Sequence, residues 1–135
     1  MDASTRNLVR QRAGRCCEYC RLPEHADPYL TFHIEHIIAK QHGGDDDATN
    51  LAWSCSRCNY RKGPNLSSRD PKTGVIVELF HPRSHVWQEH FAVRGAHVVG
   101  LSPTGRATVR LFDMNDSRRV RLRRELIAHG EYPAT

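Results

Sequence analysis

Two Cys-x-x-Cys pairs, Cys17/Cys20 and Cys55/Cys58, constrain this chain more than any other feature. Four thiolates in two such pairs suit one tetrahedral zinc, and with every position filled by protein the site is structural, not catalytic. The two pairs are separated by 34 residues, against roughly 15–20 in common zinc ribbons. The insert must therefore be a folded unit with both ends tied to one point, and a β-hairpin would fill it. The plain alternative is four unrelated buried cysteines, and two independent pairs argue against it. Cys16 is left over and reads as a free thiol. This usage points to metal in a reducing compartment and not to a disulfide framework.

At 135 residues with 39% hydrophobic residues, the chain has the length of one domain and only a modest core, so a metal staple would help. The formal charge of +5 comes mostly from arginine, which forks onto phosphates. Charge alone fits an ordinary basic soluble protein as well as a nucleic-acid partner. Residues 1–6 lack an apolar signal region and no apolar run reaches membrane-spanning length, so we expect a soluble, cytoplasmic protein without membrane contact.

Pattern and turn chemistry predict the elements. A helix is expected over 4–14, capped by Ser4 or Thr5 and stopped by Gly14. A strand over 31–38 leads to a loop over 41–49, with Gly43-Gly44 as its turn and Asp45-Asp46-Asp47 as a solvated acidic run. A second strand over 51–54 precedes a helix from Ser56 that Gly63-Pro64 ends. Beyond lie a strand over 75–80 and a short helix capped by Ser84 that carries Val86, Trp87, His90 and Phe91. Strands are expected over 96–101 and 108–112, then a helix over 116–129 capped by Asp116 or Ser117.

Between the cysteine pairs runs His33-Ile34-Glu35-His36-Ile37-Ile38. On a strand Glu35 and His36 point to opposite faces, and His33 shares a face with Glu35. Phosphodiester hydrolysis needs a base near neutral pH, which histidine supplies, and a cation that stabilises the phosphate charge. Carboxylate and amide oxygens suit Mg²⁺; Glu35 and Asn59 can supply them if the helix after Cys58 packs on the hairpin. Lys40, Arg57, Arg61 and Lys62 are candidate phosphate contacts. Taken singly, each of these residues has an ordinary role. The Glu-His pair would be an exposed dipeptide, Asn50 a turn residue, Asn59 a helix cap and Trp87 a core side chain. His33 divides between a metal or phosphate contact and a structural hydrogen bond, and His42 between structural and substrate-facing roles.

Together, His33 to Ile38, Gly43-Gly44, Asn50-Leu51, Cys55-x-x-Cys58-Asn59 and Lys62-Gly63 resemble the HNH endonuclease family. The resemblance covers about residues 16–64 and is narrower to zinc-bound members with two Cys-x-x-Cys pairs. The run Leu79-Phe80-His81-Pro82-Arg83 with Trp87 and His90-Phe91 is similar to the segment that often follows in bacterial members. The resemblance implies that His36 is the general base. It implies that Asn50 holds the loop and helps orient His36. Asn59 and Glu35 are then ligands of a catalytic Mg²⁺ or Mn²⁺; the family often has aspartate where Glu35 stands.

The implied fold is α+β: a ββα-metal (His-Me finger) core with one structural Zn²⁺, extended by further β-strands and a C-terminal helix. Residues 1–15 would be an N-terminal helix, 16–64 the nuclease core and 65–135 a β-rich extension packed into the same domain. The implied activity is metal-dependent hydrolysis of DNA phosphodiester bonds. The rivals are a non-catalytic zinc-stabilised nucleic-acid-binding module, which has no need of Glu35, His36 and Asn59, and a zinc-stapled protein-interaction domain, which the basic charge disfavours.

Overall fold

Asp2 opens the first element: its carboxylate accepts a hydrogen bond from the Thr5 amide at 2.7 Å and caps α1 (Ala3–Arg12). The cap is thus two residues earlier than Ser4, because an extended residue ahead of the first turn can reach the free amides and a helical one cannot. The computed structural model describes residues 1–26, 28–29 and 31–133.

Strand β1 (Phe32–His36) pairs antiparallel with β2 (Leu51–Cys55), placing Glu35 opposite Ala52 and His36 opposite Leu51. The connection turns at Gly43-Gly44. Gly43 has φ +88°, and a Cβ on Gly44 would stand 1.7 Å from the Ile38 carbonyl oxygen, so neither place suits a larger residue. Strand β2 is buried along its whole length, and Cys55 then caps α2 (Ser56–Lys62) through its sulfur. Two strands followed by a helix thus occupy the stretch where the sequence expects them. The first strand is shorter than 31–38, because Asn50 takes over the backbone of Ile38.

The extension departs further from expectation. Strand β4 (Ile76–Glu78) pairs with β3 (Ser67–Arg69), a short polar strand with no pattern to announce it. Helix α3 is only Trp87–His90 and starts without a side-chain cap; Ser84 does not supply one. Phe91 leaves the helix to begin β5 (Phe91–Arg94), which pairs with β6 (His97–Gly100). The expected strand over 108–112 is instead part of a helix, α4 (Pro103–Leu111). The cause is the helix start: Ser102 accepts from the Gly105 amide at 2.9 Å and Pro103 occupies the first turn. The β-branched Thr108 fits inside this helix because its hydroxyl donates to the Thr104 carbonyl and accepts from the Phe80 amide. Helix α5 (Ser117–Ala128) starts at Asp116 as expected, with the Arg118 and Arg119 amides on its carboxylate.

One apolar cluster joins these pieces. It runs from Val9 through Tyr19, Leu51 and Trp53 to Phe80, Trp87, Phe91, Phe112, Leu126 and Tyr132. Trp87 is a core residue, as its plain reading has it: its indole N–H donates to the Tyr19 carbonyl at 2.8 Å. No helix among the described residues is long and apolar enough to cross a membrane.

Candidate metal centre and catalytic loop

The turn Cys17–Cys20 and the start of α2 bring four sulfurs together. In both pairs the second cysteine's amide donates to the first one's sulfur, Cys20 to Cys17 at 3.5 Å and Cys58 to Cys55 at 3.4 Å. The sulfurs of Cys17, Cys20, Cys55 and Cys58 lie within 4.8 Å of one another, and all four residues are buried and free of disulfides. Cys20 and Cys55 sulfurs are 3.8 Å apart, and a tetrahedron with Zn–S bonds of about 2.3 Å has an edge of roughly 3.8 Å. The donor set and its spacing therefore fit zinc. Cys16, also buried, stays outside the cluster with its sulfur against the Gly14 carbonyl.

Charge at the cluster is managed by a residue that no motif indicates. The buried Arg119 of α5 donates to the Cys58 sulfur at 3.0 Å and to the Phe112 carbonyl at 2.8 Å. Four thiolates around Zn²⁺ carry two net negative charges, and a guanidinium in contact offsets part of that. Hydrogen bonds from the Cys17, Cys55 and Cys58 thiols, with Arg119 nearby, already hold the Cys20 thiol well below its ordinary range. Burial pushes Cys17 and Cys58 up. The first knuckle is also closed from outside, since the Tyr132 hydroxyl donates to the Cys20 carbonyl at 2.8 Å.

At the far end of the hairpin stands His36, its side chain 25% exposed. Its Nε2 is 2.7 Å from Asp46 Oδ1, and the Lys40 ammonium is 3.2 Å from the same oxygen. Hydrogen bonds from His36 and Lys40 hold the Asp46 carboxyl below its usual range. Asn50 makes no hydrogen bond to the His36 ring. Its side chain accepts from the Ile38 amide and donates to the carbonyls of Ile38 and Asp45, clamping the two ends of the loop. Asp45-Asp46-Asp47 is therefore not merely solvated: Asp47 caps the turn Ala48–Asn50, and Asp46 binds the histidine. No period or spacing marks Asp46, because its partner is fixed by the path of the loop.

Glu35 points the other way, as the strand period requires, and is 5% exposed. The Tyr19 hydroxyl donates to Oε2 at 2.5 Å, and the Lys62 ammonium stands 2.5 Å from Oε1, an ion pair off hydrogen-bond geometry. Burial pushes the Glu35 carboxyl up in spite of both partners. Lys62 is itself 2% exposed and donates to the Ile37 carbonyl at 2.8 Å, so it does not reach a phosphate from this position. Its four-carbon stem crosses the core and its charge is spent on Glu35. Asn59 is half-buried on α2, and its side-chain amide has no hydrogen-bond partner among the described residues. As folded, Glu35 and Asn59 do not fit a hydrated Mg²⁺ or Mn²⁺, because an ammonium already occupies the carboxylate. Among the described residues the four cysteines are the one group of three or more His, Cys, Asp or Glu side chains close enough to share an ion.

Lys40 and Arg61 are exposed and Arg57 is half-buried. Arg57 and Arg61 face Asp116 and Asp113 at 3.8 and 3.4 Å across an open cleft of about 470 Å³ that Tyr60 and Arg118 also line. His33 is half-buried opposite Ser54, and His42 is exposed at the end of a short turn.

Residues 17–65 match the family described as HNH endonuclease, so this segment carries an HNH domain. No curated protein and no solved structure matches the chain.

Proposed function

We propose that the protein is a zinc-stabilised endonuclease that hydrolyses phosphodiester bonds in DNA, with His36 as general base. The observation that carries this reading is the placement of His36 within the HNH segment. It is part-exposed at the loop end of the hairpin, and a carboxylate holds one ring nitrogen. A neutral imidazole held in this way can take a proton from water. The water oxygen forms a bond to phosphorus, the P–O ester bond opposite breaks, and the leaving oxygen takes a proton from solvent. Lys40, Arg57 and Arg61 supply positive charge for the DNA backbone, and the four-cysteine zinc holds the scaffold away from the reaction. The HNH resemblance also implies a catalytic Mg²⁺ or Mn²⁺. Since Lys62 and Tyr19 hold Glu35, no step is assigned to such an ion.

A second reading, a non-catalytic zinc-stabilised nucleic-acid-binding module, is favoured by that same sequestration of Glu35. One experiment separates the two. Zinc-loaded protein is incubated with supercoiled plasmid, with and without added Mg²⁺ or Mn²⁺, beside His36→Ala. Nicking that His36→Ala lowers by about 10²–10⁴ supports the nuclease. Binding without nicking by the wild type supports the module.

A further inference from the structure

We propose that Asp46 is the positioning residue of His36, fixing the ring so that Nδ1 is the nitrogen that receives the proton from water. The inference rests on the nuclease reading for its chemistry and on loop geometry for its assignment. An ionised carboxylate accepts hydrogen bonds and cannot donate them. With Asp46 Oδ1 at 2.7 Å, the proton of a neutral His36 ring therefore sits on Nε2, and the lone pair is on Nδ1. Lys40, 3.2 Å from Oδ1, favours the ionised carboxylate that this arrangement requires.

The loop is built to keep Asp46 in place. Asn50 holds the Asp45 carbonyl at 2.9 Å, and the Asp47 amide donates to the Asp45 carboxylate at 3.0 Å. The Asp47 carboxylate accepts from both the amide and the hydroxyl of Thr49. Asp46 is thus flanked on both sides by pinned residues, while its own side chain, 57% exposed, is committed to His36 and Lys40. The other charged groups around the histidine act elsewhere: Glu35 lies on the opposite face of β1, and Lys62 pairs with Glu35 and reaches His36 at its backbone carbonyl, at 3.5 Å. The orienting role that the resemblance gives to Asn50 is divided here. Asn50 sets the loop, and the loop presents Asp46.

In the reaction, Nδ1 takes one proton from water as the oxygen bonds to phosphorus. The imidazolium so formed keeps its Nε2–H on Asp46 and returns the Nδ1 proton to solvent after the ester bond breaks. Without the carboxylate the ring can rotate or adopt the other tautomer, and a smaller fraction of molecules presents the lone pair to water.

The test uses the full zinc-loaded chain with ¹⁵N-labelled histidine, the His36 signals being those lost in His36→Ala. We expect wild-type His36 in the Nε2–H tautomer, and Asp46→Ala to shift its ring nitrogens toward a tautomer mixture at unchanged zinc content. A wild-type Nδ1–H tautomer, or identical ring signals in Asp46→Ala, overturns the inference whether or not DNA is cut. In plasmid cleavage Asp46→Ala should lower kcat about tenfold to a hundredfold, leave KM within about twofold and be partly restored in Asp46→Glu. An unchanged kcat in an active preparation also overturns it. If wild type and His36→Ala cut alike, the nuclease reading fails, and the ring signals still decide what Asp46 does.

Discussion

The two ends of the hairpin are built on opposite principles. At the zinc end four buried cysteines meet buried contacts from distant parts of the chain, Arg119 and Tyr132 among them. At the histidine end the side-chain contacts of His36, Lys40, Asp46 and Asn50 are polar, local and partly exposed, spanning at most the 12 residues from Ile38 to Asn50. The first arrangement resists deformation because every partner lies in the core. The second is open enough for a substrate to reach, and its geometry depends on a loop whose own hydrogen bonds must be complete. Stability and the proposed chemistry are thereby separated along one pair of strands, and substitutions should divide the same way.

The largest effect should come from Cys55→Ser. Loss of a thiolate should abolish zinc binding and most of the fold, since structural zinc contributes on the order of 10 kcal/mol in small domains. Elemental analysis with circular dichroism checks this; a folded, metal-free variant would break the comparison at its stronger end. Next comes Lys62→Met, which leaves Glu35 buried without its counter-charge. Removing one partner of a buried pair costs about 3–5 kcal/mol, measurable as a shift of the urea midpoint. A shift like that of a surface substitution would mean that Glu35 finds another cation, and would reopen its candidacy as a metal ligand.

Arg119→Ala should be milder, with zinc affinity about 10–100-fold weaker by chelator competition and Arg119→Lys intermediate because its ammonium cannot fork. The smallest effect on stability should be that of His36→Ala, within about 0.5 kcal/mol, although it removes the proposed activity. A large loss of stability there would show that the histidine end also carries the scaffold.

Much of the zinc end was legible in the sequence, because metal-ligand chemistry leaves a spacing that survives any loop. The hairpin and α2 follow from the same constraint. Two kinds of information were not legible. One is the identity of long-range polar partners: Asp46 looks like one of three equivalent aspartates, and Arg119 and Lys62 look like surface charges until the fold buries the latter two. The other is the competition between β-propensity and helix caps. The run from Thr108 to Phe112 has strand-forming residues, yet Ser102 and Pro103 start a helix that carries through them. Thr108 then fits inside that helix because its hydroxyl meets the Thr104 carbonyl and the Phe80 amide, and no local window contains Phe80.

The hydrogen bond from Tyr132 to the Cys20 carbonyl spans 112 positions. Its consequence is one of timing. On the ribosome the Cys17–Cys20 knuckle emerges before the second cysteine pair, which follows 35 residues later. The side chains that seal both, Trp87, Arg119 and Tyr132, are made only afterwards. A zinc ion bound before those side chains are made would be held by thiolates still open to water and to competing chelators. Contacts of such sequence separation close slowly, so an ion bound that soon would wait for the rest of the chain to lock its site.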